Sequence, residues 1–226
     1  MTTAHRNDET DLGRRLRQVR SARGQSVREL ARRAGCSASL VSQVERGVTT
    51  PSAGTVYALA TELGISLDLL SGTDDLRTDD LPTTGGGDPR AATVDGPRAV
   101  TGWGRATGPD GEGILQRAAD RSTIDLSTGV RWERLTPRHD SRVDFLDVVY
   151  EPFGRSSEDG RAVRHDGREY LRVLEGEIEA VIGFETLLLK EGDSLAFDPS
   201  TPHQYRNPTP RAARTLSVIV HDPQDG

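Results

Sequence analysis

The sequence predicts a multidomain α + β chain: a five-helix bundle over residues 12–71, then a small β-sandwich or β-barrel over residues 113–226. Three observations predict it. The first third carries capped segments whose apolar residues recur at helical spacing. Residues 72–112 offer little to bury. Beyond them the apolar period shortens toward two, in short segments separated by turn residues.

The helices follow in order. Leu12, Leu16 and Val19 mark the first, which is dense in arginine (Arg14, Arg15, Arg17, Arg20 and Arg23). Ser26 stands at an N-cap position with Glu29 three residues on, a capping box. Val27, Leu30, Ala31 and Ala34 then fall at i, i+3, i+4 and i+7, a narrow apolar face. Gly35 is expected to end that helix with φ > 0. Ser37 opens the third helix, which buries Leu40, Val41 and Val44 and turns Ser39, Ser42, Gln43 and Arg46 outward. Gly47 stops it. Ser52 caps the fourth, with Val56, Leu59, Ala60 and Leu63 inward before Gly64. Ile65, Leu67, Leu69 and Leu70 predict a short fifth helix.

The second and third helices, joined by a tight turn, have the size of a unit that fits the DNA major groove. An outward face of small hydroxyls, one amide and one arginine supplies the donors and acceptors that read base edges and phosphates. The bland alternative is a solvated arginine-rich bundle that docks proteins; the capped pair with that polar face favours DNA. The stretch RELARRAGCSASLVSQVERGVTTPSAGTVYALATELGISLDLL resembles the DNA-binding domain of the XRE (phage-repressor-type) transcription regulators, over residues 12–71. The resemblance implies that the helix at 37–46 enters the major groove of double-stranded DNA. Ser39, Ser42 and Gln43 are then base or backbone readers, Ser26 and Arg46 lie nearer phosphates, and Ser37 joins them at the start of the helix. Ala38 stands where several relatives carry a base-reading glutamine. Cys36, at the turn, reads as a small apolar packing residue.

A chain of 226 residues has room for two modest domains. Its net charge of −6 is uneven: ten arginines face seven acidic residues through residue 71, whereas 19 basic face 28 acidic residues beyond it. A mildly basic head on an acidic body implies one nucleic-acid surface, not two. The single cysteine excludes an intrachain disulfide and suits a reducing cytoplasm. With no run of about 18 apolar residues and no signal-like start, the expectation is a cytoplasmic protein without a membrane segment. Residues 72–112, with Asp74, Asp75, Asp79, Asp80 and the run TTGGGDP at 83–89, read as a flexible linker with a short ordered piece near 100–103.

Past the linker, strands are expected at 130–135, 143–150, 170–174, 178–182, 186–189, 194–197 and 215–220, a pattern that argues for a sandwich or barrel. Two motifs sharpen this. HDGREYLRVLEG carries His165, Glu169 and Gly176, and GDSLAFDPSTPHQYRN carries Gly192, Asp198, Pro199, His203 and Asn207. Together they resemble the paired motifs of the cupin superfamily, a small double-sheet, jelly-roll-like β-barrel, over residues 145–222. The resemblance implies that His165, Glu169 and His203 point into the barrel as metal ligands. Val163 stands where the family's first histidine falls, and valine cannot ligate.

Two imidazoles and one carboxylate can hold Fe(II), Mn(II), Ni(II) or Zn(II) on one face and leave positions open. The alternative is a hydrogen-bonded cluster in a metal-free effector pocket. Val163, Tyr170, Phe197 and Tyr205 are candidates to line that pocket, with core packing as their other role. Arg164, Arg168 and Arg172 read as the solvent face of a strand, or else as attraction for an anionic effector. His5, His139 and His221 have no companion ligands nearby in sequence and read as surface residues.

The two halves together predict a one-component DNA-binding transcriptional regulator without catalytic residues. Its barrel binds a small-molecule effector, with or without a divalent metal, and shifts the two heads of a homodimer on a pseudo-palindromic operator. The domain order also resembles the hydroxypropylphosphonic acid epoxidases, in which a repressor-like helical domain precedes an iron cupin. That resemblance implies a mononuclear non-haem iron enzyme using the same three ligands. The outward polar face of the third helix and the long linker favour a head that binds DNA independently.

Overall fold

The computed structural model describes residues 8–71, 114–158 and 160–221. The linker expected at 72–112 and His5 lie outside the described residues.

Five helices form the N-terminal unit: α1 Asp8–Ala22, α2 Val27–Arg33, α3 Ala38–Glu45, α4 Ala53–Glu62 and α5 Leu67–Ser71. Their starts follow from their caps. The hydroxyls of Ser26, Ser37 and Ser52 accept from the amides of Glu29, Leu40 and Thr55 at 3.1, 3.1 and 3.3 Å. Each cap satisfies an amide that the first helical turn leaves free, at a value of about 1 kcal/mol. Gly35 ends α2 at φ +67°, where a side chain would be strained. Leu16, Val19, Leu30, Val41, Val44, Leu59 and Leu63 fill the middle of the bundle, with Cys36 packed against them.

The arginines of α1 do not all face solvent. Buried Arg15 donates to the Leu69 carbonyl at 3.0 Å and holds α1 to α5. Arg20 clasps Glu45 at the end of α3. Between the two helices, Gly13 lies so close that a Cβ there would fall 2.2 Å from the Val44 carbonyl oxygen.

Nine strands follow: β1 Thr123–Leu126, β2 Val130–Arg134, β3 Val143–Tyr150, β4 Arg168–Glu175, β5 Glu177–Ile182, β6 Glu185–Lys190, β7 Ser194–Phe197, β8 His203–Arg206 and β9 Ala213–Val220. All pair antiparallel, in a six-stranded sheet ordered β1-β2-β3-β9-β4-β7 and a three-stranded sheet ordered β6-β5-β8. Side chains alternate across β4: Glu169, Leu171 and Val173 are buried, while Arg168, Tyr170 and Arg172 are exposed. Leu146, Val148, Ile178, Ala180 and Ile219 complete the barrel interior. Seven strands lie where the sequence predicts them. The four-residue β1 and β8 were not expected, although β7, of the same length, was.

The head is not an independent unit. Leu12, Ala53, Val56, Ala60, Leu67 and Leu70 of the helices belong to the same buried cluster as the barrel core. The Gly54 amide donates to the Ser156 carbonyl at 2.7 Å, and the Ser127 amide to the Pro51 carbonyl at 3.1 Å. Arg161 of the barrel reaches the Gly35 carbonyl at 3.1 Å. The expectation of a freely tethered head is therefore corrected. Apolar area on α1, α4 and α5 that the bundle leaves uncovered is buried against the barrel instead.

Candidate ligand centre and DNA-reading face

Glu169 is the second residue of β4, in the larger sheet, and His203 is the first of β8, in the smaller one. His165 lies in the loop leading into β4. Folding the two sheets together thus brings the three side chains to one buried point. His165 Nε2 lies 3.1 Å and His203 Nε2 lies 3.3 Å from the same oxygen, Glu169 Oε2.

The other ring nitrogens set the chemistry. His165 Nδ1 meets the Asp166 carbonyl at 3.2 Å, and His203 Nδ1 meets the Thr201 carbonyl at 3.0 Å. A carbonyl only accepts, so each Nδ1 carries a proton and each Nε2 is turned to the carboxylate. This backbone anchoring is the arrangement that orients histidine ligands at metal sites. The remaining oxygen, Glu169 Oε1, accepts from the Tyr205 hydroxyl at 2.7 Å. Burial acts to raise the Glu169 pKa, but the two adjacent imidazoles outweigh it and hold the carboxyl at about 2. Among the described residues, buried His203 Nε2 makes no hydrogen bond of its own. A buried anion facing two ring nitrogens calls for positive charge between them, supplied by protons or by a divalent cation. One ligand atom from each residue lies within 4.8 Å of the others, so the set fits a metal.

Two of the candidate pocket residues lie beside this centre: the Phe197 ring is edge-on to His203 at 5.0 Å, and the Tyr205 ring lies 5.9 Å from His203. Val163 pairs with His203 through two backbone hydrogen bonds of 2.8 and 3.0 Å, and its side chain is turned to Gly54 of α4. Tyr170 does not line the pocket. It is 46% exposed on the outer face, since the residue beside inward-facing Glu169 must point the other way. His221 is also corrected: its Nε2 lies 2.7 Å from the buried Asp144 carboxylate, a tie rather than a plain surface position. Arg164, Arg168 and Arg172 are exposed, in keeping with a solvent face.

Sequence reading missed Tyr57. Its ring stacks on His165 with centroids 5.4 Å apart and planes 9° apart, and it meets Trp132 edge-on at 5.1 Å. Burial, followed by the negative charges of Glu169 and Asp144, raises its hydroxyl pKa well above the usual tyrosine value. The available signal was the position itself, one residue beyond Val56 and three before Ala60 on α4.

On α3, Ser39, Ser42, Gln43 and Arg46 lie at i, i+3, i+4 and i+7 and share one side. Gln43 Nε2 donates to Ser39 Oγ at 3.3 Å, and Arg46 Nε donates to the Ser42 carbonyl at 3.1 Å. Ser26 and Ser37 are exposed, with their oxygens engaged as caps and their hydroxyl protons left to donate.

Comparison with known proteins places this geometry. Residues 11–71 match a family model described as a helix-turn-helix domain, and residues 148–219 match one described as a cupin domain. The chain pairs an XRE-type helix-turn-helix domain with a cupin domain. This regulator is 24% identical over 206 residues to the HTH-type transcriptional regulator PuuR of Escherichia coli (strain K12), across 91% of the chain and 92% of that protein. Over 64 residues it is 41% identical to the HTH-type transcriptional regulator DdrOP3 of Deinococcus deserti, 28% of the chain and 50% of that relative. Its fold matches that of an HTH_3 family transcriptional regulator from Vibrio cholerae, with a TM-score of 0.61 at 18% identity over 95% and 97% of the two chains. No helix among the described residues is long and apolar enough to cross a membrane.

Proposed function

We propose that the regulator is a cytoplasmic one-component switch that joins an operator-reading head to an effector-binding barrel. In this reading α3 enters the major groove. Gln43, Ser39 and Ser42 read bases or backbone, while Arg46, Ser26 and Ser37 meet phosphates. A homodimer places two such helices on a pseudo-palindromic site, about one helical turn apart. The barrel binds a small molecule at His165, Glu169 and His203, beside Phe197 and Tyr205.

The observation that carries the barrel's role is the convergence of two backbone-anchored imidazoles on one buried carboxylate. These residues would hold Fe(II), Mn(II), Ni(II) or Zn(II), and such a metal would offer an effector's oxygen or nitrogen a place to bind. Tyr205 keeps Glu169 oriented through its hydrogen bond. The likeness to iron epoxidases rests on ligands that a sensor needs equally, whereas the polar stripe of α3 supplies the groups that a DNA-reading helix requires. Genome-wide mapping of the protein on DNA tests the reading. A palindromic site near its own gene or a small metabolic cluster is expected; uniform occupancy without a motif would overturn it.

A further inference from the structure

We propose that Tyr57, a residue of the DNA-binding head, is a positioning residue of the barrel's ligand centre, so that site and head docking are thermodynamically coupled. This assignment rests on the metal-site reading above and names its regulation.

Helix α4 has two working faces. Leu59 and Leu63 belong to the head core. Ala53, Val56 and Ala60 belong to the barrel cluster, and Tyr57 packs against it. Positions 53, 56, 57 and 60 form one i, i+3, i+4, i+7 stripe, so a single helix face carries the apolar contacts and the tyrosine together. The N-terminal end of that stripe is pinned by the bond from the Gly54 amide to Ser156.

Tyr57 then continues a run of rings into the site. Trp132 touches Tyr57, Tyr57 lies flat on His165, His165 meets His203 at 5.2 Å and 82°, and His203 meets Phe197. The stacked ring limits how the His165 imidazole can rotate, and so keeps Nε2 aimed at Glu169. The position where the cupin resemblance implies a further histidine serves the same contact: a Cβ on Gly54 would lie 3.2 Å from Val163 Cγ1. Valine there meets the head instead of a metal. Anything that binds more tightly when His165 is held also favours the docked head. By reciprocity, any force that lifts α4 weakens binding at the site.

Zinc is the probe. Affinity is measured by competition with a chromophoric chelator for the full chain, for Tyr57→Leu, for Tyr57→Phe and for His203→Ala, each checked for native circular dichroism and a cooperative melt. Amide exchange at residues 53–57 is followed with and without zinc. Expected is about tenfold weaker zinc binding in Tyr57→Leu, the size typical of lost ligand orientation. Tyr57→Phe, which keeps the ring, should restore it. Zinc should slow exchange at 53–57 in the wild type and leave Tyr57→Leu unaffected. Zinc affinity unchanged in folded Tyr57→Leu, with uptake still abolished by His203→Ala, would overturn this inference alone. Failure of the wild type to take up zinc would overturn the metal reading and the inference with it.

Discussion

Arg20 holds Glu45 through two hydrogen bonds of 2.5 and 2.9 Å, with the side chains only 12% and 6% exposed. A third bond at 2.7 Å, to the Gln25 carbonyl, fixes the guanidinium from the other side. Glu45 is the last residue of α3, so the pair locks the proposed reading helix onto α1. Removing the cation leaves a nearly buried carboxylate unpaired. Arg20→Ala should lose about 2–4 kcal/mol of stability, read as a lower denaturant midpoint at unchanged slope. Operator affinity should fall with it, and a variant as stable as the parent would contradict the locking role.

The stripe on α3 makes an opposite prediction. Gln43 and Arg46 bond only to neighbours on their own helix in the described contacts, so the Gln43→Ala, Arg46→Ala double variant should fold normally. Losing the Gln43 contact costs about 1–3 kcal/mol of discrimination, and losing the Arg46 phosphate contact weakens binding to every sequence alike. Specific operator binding should therefore disappear in fluorescence anisotropy, while weak salt-dependent binding persists. Unaltered specificity in the folded double variant would remove α3 as the reading element.

For the metal, purified protein should retain close to one divalent ion per chain by elemental analysis, and His203→Ala should lose it. His203 is the ligand that ties the smaller sheet to the centre, through an Nε2 atom without another hydrogen bond among the described residues. A wild-type protein that is metal-free, yet still changes its DNA affinity with an effector, would leave a purely hydrogen-bonded pocket.

Acid should weaken the centre in a defined window. Glu169 has its carboxyl held at about 2 in the fold, against 4.5 for the free side chain. A depressed carboxylate contributes stability that is fully present above the unfolded value and is lost as pH falls through the folded one. With metal chelated, the stability difference between wild type and Glu169→Gln should shrink as pH falls from about 5 toward 2. Urea midpoints at several pH values measure it; a gap that stays constant over that range would refute the ionised assignment.

Local chemistry explains what was legible beforehand. Serine caps at 26, 37 and 52 act on amides three residues away, and helical spacing alone puts Ser39, Ser42, Gln43 and Arg46 on one side. The two histidine motifs each lie within one short stretch, and it was the cupin resemblance they carry that implied His165, Glu169 and His203 as a set. Tyr170 failed for a reason that strand parity already contains: Glu169 and its neighbour cannot share a face. Other misses were non-local. Periodicity shows that a helix has an apolar side but not what covers it, so the division of α4 between two cores was hidden, and Tyr57 with it. The pairing of His221 with Asp144 joins residues 77 apart, beyond any pattern in either segment.

The stripe at 53, 56, 57 and 60 limits how such proteins can be recombined. A head grafted from another regulator could carry every base-reading side chain and still seat badly, because its fourth helix would offer a foreign surface to Val163 and His165. Successful exchange of specificity between such chains must therefore transplant the α3 stripe alone and leave α4 with its native barrel.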